Sequence, residues 1–240
     1  MALEGQVAII TGASAGIGAA VAENLDEAGM SLVITSRREK NLRELSSRLK
    51  NAAHIVAGDI VDKEMPQRLI DEAVSKFGRC DVVVNNAGIM MQAASIEEID
   101  LDMVGEMVRT NVKAAYRLAY TALRHFKSQN SGYLVNTSSV LGTKIRPTTG
   151  PYAGTKWAIE ALTEALRMEL AGTGVGISAI EPGLVMTELH DDWEVHPKDS
   201  LGIDRPLQPA DIARAVRFVL EQPDHVRIPK IMVLPADHAI

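Results

Sequence analysis

Aromatic residues are scarce in this chain: Phe, Tyr and Trp together make up 4% of its 240 residues. A core built almost without them must come from Val, Ile, Leu and Ala. There is one cysteine, Cys80, so no intrachain disulfide can form. It reads as a small apolar residue leading into a strand. No apolar run approaches the roughly 18–20 residues of a bilayer span, and the first residues lack a charged stretch followed by an apolar one. The expectation is a cytoplasmic protein without membrane contact. Basic runs are missing as well, and the net charge of −6 argues against nucleic-acid binding. No set of residues has metal-ligand spacing, so no metal is expected.

What is present is an alternation of short apolar runs with helical patterns along the whole length. Strands are predicted at residues 7–11, 31–35, 54–57, 81–85, 133–138, 176–180 and 231–234. Helices are predicted at 19–28, 39–49, 65–77, 101–127, 152–170 and 211–221. Near-continuous apolar strands separated by helices imply a parallel sheet covered on both faces. The fold class is α/β, a doubly wound Rossmann fold with seven parallel strands, and residues 1–240 form a single domain. Residues 184–207 break the rhythm with little periodicity, two prolines and several charges. They follow a strand, where open parallel sheets bind ligands, so a substrate lid is expected there.

The first strand runs into Thr11-Gly12-Ala13-Ser14-Ala15-Gly16-Ile17-Gly18. Glycines let backbone approach a pyrophosphate, and the following helix N-terminus attracts it. An NAD-dependent enzyme usually places a carboxylate at the end of the second strand, to accept from the ribose. Here that end reads Thr35-Ser36-Arg37-Arg38. A guanidinium binds phosphate through paired donors, so the expected cofactor is NADP(H), with Ser36 and Arg37 on its 2′-phosphate and Arg38 beside them or simply opening the next helix. Asp59, in Gly58-Asp59-Ile60, is placed for the adenine amine. Asn85-Asn86-Ala87-Gly88 closes the fourth strand, part of it as ligand contact and part as structural hydrogen bonding.

Tyr152 and Lys156 lie four residues apart, one helical turn, with Ser139 thirteen positions ahead of the tyrosine. A cation near a phenol lowers a pKa that starts at about 10. Such a tyrosine can protonate a carbonyl oxygen.

Thr11 to Gly18, Asn85 to Gly88, Asn111, Ser139, Tyr152 with Lys156, and Pro182-Gly183 stand in an order and spacing that resembles the short-chain dehydrogenase/reductase family over nearly the whole chain. The resemblance implies Tyr152 as general acid/base and Lys156 lowering its pKa and holding the nicotinamide ribose. Ser139 would donate to the substrate oxygen, with Ser138 the competing candidate, and Asn111 would hold a water between Lys156 and solvent. It also implies cofactor contacts at Gly12, Ser14, Ala15, Gly16, Ile17, Gly18, Ile60, Asn86, Ala87, Gly88, Pro182, Gly183 and Val185, with Thr187 on the carboxamide. Hydride delivery from the pro-S face and a homo-oligomer, tetramer or dimer, formed through the long helices follow from the same resemblance.

Two features depart from the common family pattern. Glu181 precedes Pro182, and the chain closes on Val233-Leu234-Pro235-Ala236-Asp237 before its last residues. Both are similar to a branch of NADP-dependent 3-hydroxy acid dehydrogenases and clavulanate-type aldehyde reductases, and both make carrier-protein reduction a less fitting role. The expected reaction interconverts a carbonyl and an alcohol, with a 3-hydroxy acid as the alternative substrate. A non-catalytic nucleotide sensor is the rival of another class. Pocket candidates are Met90, Met91, Leu141, Leu184, Met186, Leu189 and Trp193. Arg146 and Lys144 are candidates for a substrate carboxylate, and His190 and His196 read as surface residues.

Overall fold

The computed structural model describes residues 3–191 and 193–240. Seven strands form one parallel sheet: β1 (Val7–Thr11), β2 (Ser31–Thr35), β3 (Ala53–Ile55), β4 (Val82–Asn85), β5 (Gly132–Thr137), β6 (Val175–Pro182) and β7 (Lys230–Val233), in the order β3-β2-β1-β4-β5-β6-β7. Side chains alternate across a strand. Ala8, Ile10, Val82 and Val84 therefore enter one core, and Val7, Ile9 and Val83 the other. The first core is closed by α1 (Gly16–Glu27), α2 (Glu39–Ser46) and α8 (Pro209–Leu220). The second is closed by α3 (Met65–Phe77), α5 (Ala115–Gln129) and α6 (Gly150–Glu169). Each fully buried Val, Leu or Ile contributes about 1.5–3 kcal/mol, which is how a chain so poor in aromatics holds its sheet. Cys80 is fully buried, and burial pushes its thiol up to about 12.

β1 pairs with β2 on one side and β4 on the other. The winding reverses between them, and this switch point opens a crevice beyond the carboxyl ends of the strands. Thr11, Thr35, Thr137 and Pro182 end their strands there and line it.

The expected helix at 101–127 is three segments. α4 (Leu101–Met107) leads into a π-helical stretch, Val108–Ala114, and then α5. Asn111 lies in the π stretch, and single π turns inside α-helices concentrate at functional sites. β6 runs two residues past its expected end, because Glu181 and Pro182 pair with Met232 and Val233. α1 begins at Gly16, three residues early, and α2 stops at Ser46. The segment 184–207 is tied at its base by a parallel bridge between Val185 and Leu207. It contains a 3₁₀ turn, Glu188–His190, and the short α7 (Pro197–Ser200). α8 starts at Pro209, with Gln208 and Asp211 forming a capping box. Among the described residues no helix is long and apolar enough to cross a membrane.

Candidate active site

The crevice is a cleft of about 1060 Å³. Single-ligand pockets run to roughly 300–1,000 Å³, so this one has room for a dinucleotide and a small substrate together.

One half is floored by the glycine turn. Gly16 has φ +54°, and a Cβ there would lie 3.0 Å from Thr187 Cγ2. A Cβ on Gly18 would collide with the Gly12 carbonyl. The turn is pinned to the fourth strand. Asn86 N and Ala87 N donate to Thr11 Oγ1 at 2.9 and 3.0 Å, and Asn86 Nδ2 donates to Thr11 O at 3.0 Å. Asn85 donates to Ala115 O and to Asn136 Oδ1, and Asn136 donates to Thr163. Asn85 is thus structural, and Asn86 holds the turn itself. Asp59 lines the cleft and accepts from Val61 N at 3.0 Å, with Ile60 beside it.

At the end of β2, Ser36 Oγ accepts from Arg38 N at 3.1 Å. The Arg38 guanidinium reaches the glycine turn, donating from Nε and Nη2 to Ser14 Oγ at 3.2 and 3.0 Å. Its Nη1 pairs with Glu188 Oε2 at 2.6 Å. Arg37 lines the same cleft and is exposed. Arg38 therefore does more than open a helix: it lies over the turn beside Arg37. Exposed guanidinium and hydroxyl donors, with no acid at the strand end, fit an anionic group on the adenosine ribose.

The other half holds the catalytic candidates. α6 begins at Gly150 with Pro151 in its first turn. Tyr152 therefore stands at the start of the helix and Lys156 one turn further in. Lys156 Nζ is 5.7 Å from the Tyr152 ring centroid and donates to Thr137 O at 2.9 Å. Burial lowers Lys156 to about 8, against the pull of Glu160. Burial also pushes the Tyr152 phenol up to about 12, with the Ser139 hydroxyl pulling the other way. The expected lowering of Tyr152 by Lys156 is overturned here: desolvation dominates, and Ser139 rather than Lys156 is the group that opposes it. A phenol raised in this way is protonated at neutral pH.

Ser139 caps the turn Val140–Gly142, its Oγ accepting from Leu141 N at 3.1 Å. Ser138 Oγ is buried without a partner and faces Gly142, where a Cβ would lie 2.7 Å away. Asn111 Oδ1 accepts from Ile89 N at 2.8 Å, while its Nδ2 donates to Ile89 O at 2.7 Å and to Thr155 at 3.3 Å. Its amide clamps the backbone after Gly88, where a Cβ would lie 3.3 Å from Asn111 Oδ1 and 3.8 Å from Lys156 Nζ. Behind these groups, Lys230 Nζ bridges Glu160 Oε2 at 2.8 Å and Glu181 Oε1 at 2.9 Å. Thr143 donates to the other oxygen of Glu181 at 3.3 Å.

The cleft gathers nearly every residue singled out in the sequence, including Ala15, Ile17, Ala87, Gly183, Val185 and Thr187. Gly18 packs against the turn and is buried. Of the pocket candidates, Met90, Leu141, Arg146, Leu184, Leu189 and Trp193 line the cleft, whereas Met91 and Met186 are off it. Lys144 is exposed away from the cleft. His190 is buried, not a surface residue. It stacks edge-on against Trp193 and His196, and burial lowers it to about 4. His238 and Ile240 also line the cleft. Nothing local in the sequence marks these two, because the tail reaches the cleft only through the pairing of β7 with β6.

The profile of the short chain dehydrogenase family matches residues 6–197. An uncharacterised oxidoreductase of Staphylococcus saprophyticus is 36% identical over 237 residues, covering 97% of this chain and 98% of its own. A 3-ketoacyl-(acyl-carrier-protein) reductase from Brucella melitensis, solved with NADH, superposes with TM-score 0.89 at 29% identity, over 98% of this chain and 99% of that one. The closed form of a serine dehydrogenase with NADP⁺ superposes with TM-score 0.91 at 26% identity, over 98% and 97%. With its glycine turn, its switch-point cleft and these relatives, the chain belongs to the short-chain dehydrogenase family and is an oxidoreductase of that family with a site for a nicotinamide cofactor.

Proposed function

We propose that this chain interconverts a carbonyl and an alcohol with NADP(H), using Tyr152 as the general acid/base. One observation carries the reading: Ser139, Tyr152 and Lys156 converge at one end of a cleft whose other end presents Ser36, Arg37 and Arg38 and no strand-end acid. A nicotinamide bound across the strand ends would supply or accept the hydride. The glycine turn, Ser14, Arg37, Arg38, Asp59, Lys156 and Thr187 are the residues that would hold the cofactor. In reduction, Tyr152 gives its proton to the substrate oxygen, and Ser139 donates a hydrogen bond to that oxygen as negative charge grows on it. Lys156, held by Thr137 O, would hold the nicotinamide ribose, and the phenolate left behind regains its proton from solvent between turnovers.

The test is steady-state oxidation of NADPH and NADH over a panel of aldehydes and ketones. Turnover with NADPH preferred supports the reading. Tight NADPH binding with no turnover on any carbonyl supports a nucleotide sensor instead. We also propose a cytoplasmic homo-oligomer. Leu101, Val108 and Trp157, exposed on α4, the π stretch and α6, offer apolar surface for its interface, and a monomer in sedimentation would contradict this.

A further inference from the structure

The loop between Ser139 and Tyr152 carries a guanidinium with no counter-charge. Arg146 lines the cleft, and burial lowers its pKa. Its main chain is fixed to the start of α6: Thr149 Oγ1 accepts from Arg146 N at 3.3 Å and donates to Arg146 O at 2.9 Å. The side chain makes two bonds, both from Nη2, to His238 Nε2 at 2.6 Å and to Ala239 O at 3.4 Å. Among the described residues no carboxylate lies within ion-pair distance of it. Five N–H groups fork from a guanidinium, so those on Nε and Nη1 are left for a ligand or solvent.

His238 adds to the shortage of acceptors. A guanidinium only donates, so Nε2 of His238 accepts and the ring proton sits on Nδ1. That Nδ1 is buried without a partner. It lies over Gly183 in the turn after β6, where a Cβ would be 2.9 Å away. The tail is itself held from the substrate loop, with Asp204 N and Arg205 N donating to Asp237 Oδ2 at 2.7 and 3.4 Å. The tail thus sets the guanidinium at the substrate end of the cleft, between the Tyr152 helix and the turn at Gly183.

We infer that Arg146, oriented by His238, binds an anionic group of the substrate, so that the carbonyl compound handled here carries a carboxylate remote from its reacting oxygen. This rests on the carbonyl–alcohol reading above and names its substrate class. Arg146 is the contacting residue; His238 is a positioning residue acting through it. A hydrogen bond to a charged group is worth about 1.5–3 kcal/mol, or roughly 10–100-fold.

The experiment compares acetoacetate with methyl acetoacetate and levulinate with methyl levulinate, using NADPH. In parallel, succinate, which cannot react, is titrated into the NADP⁺-saturated protein and followed by thermal shift. The wild type is expected to favour the acid of each pair in kcat/KM. In Arg146→Gln the acid-to-ester ratio falls roughly 10–100-fold, with the succinate shift abolished. Arg146→Lys retains part of both, and His238→Gln lowers the ratio less than Arg146→Gln does. Circular dichroism confirms that each variant is folded. Turnover without acid preference in the wild type overturns the inference while leaving the carbonyl–alcohol reading intact. An equal loss on acid and ester in Arg146→Gln also overturns it, reducing the residue to a staple for the tail. No turnover on any carbonyl, with an Arg146-dependent succinate shift, sinks the carbonyl–alcohol reading and keeps the anion site. No turnover and no shift overturn both.

Discussion

The guanidinium of Arg38 meets the carboxylate of Glu188 across the mouth of the cleft, Nη1 to Oε2 at 2.6 Å, from positions 150 residues apart. The same guanidinium also rests on Ser14 of the glycine turn. Both charged groups are half exposed, so the pair contributes at most about 1 kcal/mol. A ribose 2′-phosphate is a stronger, bidentate partner for arginine and would compete with Glu188 for it. Arg38→Gln is therefore expected to weaken NADPH binding far more than NADH binding in a fluorescence titration. Glu188→Gln, by removing the competitor, is expected to tighten NADPH by up to about fivefold. Equal losses for the two cofactors in Arg38→Gln would detach this residue from the phosphate.

Tyr152→Phe removes one oxygen and keeps the ring. The expected result is NADPH binding retained, with kcat for reduction down by about 10²–10⁴, the range for a lost general acid. The wild-type pH profile follows from a phenol pushed up to about 12. Reduction needs the protonated form and is expected to be flat through neutral pH. Oxidation needs the phenolate and is expected to rise toward alkaline pH. Wild-type-like turnover in the Phe variant would remove Tyr152 from the mechanism.

Local patterns carried most of this site. The glycine turn, the Tyr152–Lys156 spacing and the apolar strands are written within a few residues each, and each lies where its pattern puts it. What escaped is set by partners distant in sequence. The π stretch around Asn111 differs from an α-helix by one residue of winding, which apolar periodicity does not register. Glu181 and Pro182 join β6 only because β7 pairs with them. Arg38 is placed by Ser14 and Glu188, 24 and 150 residues away, and Arg146 by His238, 92 residues later. Lys144 and Arg146 looked equivalent in the sequence. In the structure Arg146 is bonded to Thr149 at the start of α6 and to His238 in the tail and lines the cleft, whereas Lys144 lies outside it.

The bridge from Lys230 to Glu160 and Glu181 holds two adjacent carboxylates, with Glu181 fully buried. Removing one partner of such a group leaves an uncompensated buried charge. Lys230→Met is expected to destabilise the fold by about 3 kcal/mol, a fall in Tm of roughly 6–12 °C for a chain of this size. Burial holds the Glu181 carboxyl above the usual range. A raised acid binds its proton more tightly when folded, so its contribution is present at acid pH and lost as pH rises through its raised value. The Tm gap between wild type and variant should therefore widen as pH rises, since the variant also loses the ammonium that offsets the ionised form. A gap independent of pH would mean that both carboxylates escape into solvent.

His190 sits in the loop over the cleft, buried edge-on against Trp193 with ring centroids 4.9 Å apart. Burial is the main cause of its low value of about 4, reinforced by His196 and opposed by Asp191. An unfolded histidine titrates near about 6.5. A depressed histidine contributes stability that is present above that value and lost as pH falls toward 4. The difference is about 3 kcal/mol at most, enough to open a loop segment while the sheet stays folded. In a Trp157→Phe background, Trp193 is the only tryptophan, and its emission reports this contact. The emission is expected to change between mildly acidic pH and about pH 4, before the far-ultraviolet dichroism does. His190→Phe keeps an aromatic edge on Trp193 and removes the titrating nitrogen, so the early change should vanish. If the Phe variant retains the same acid transition, another group drives it and His190 is only packing.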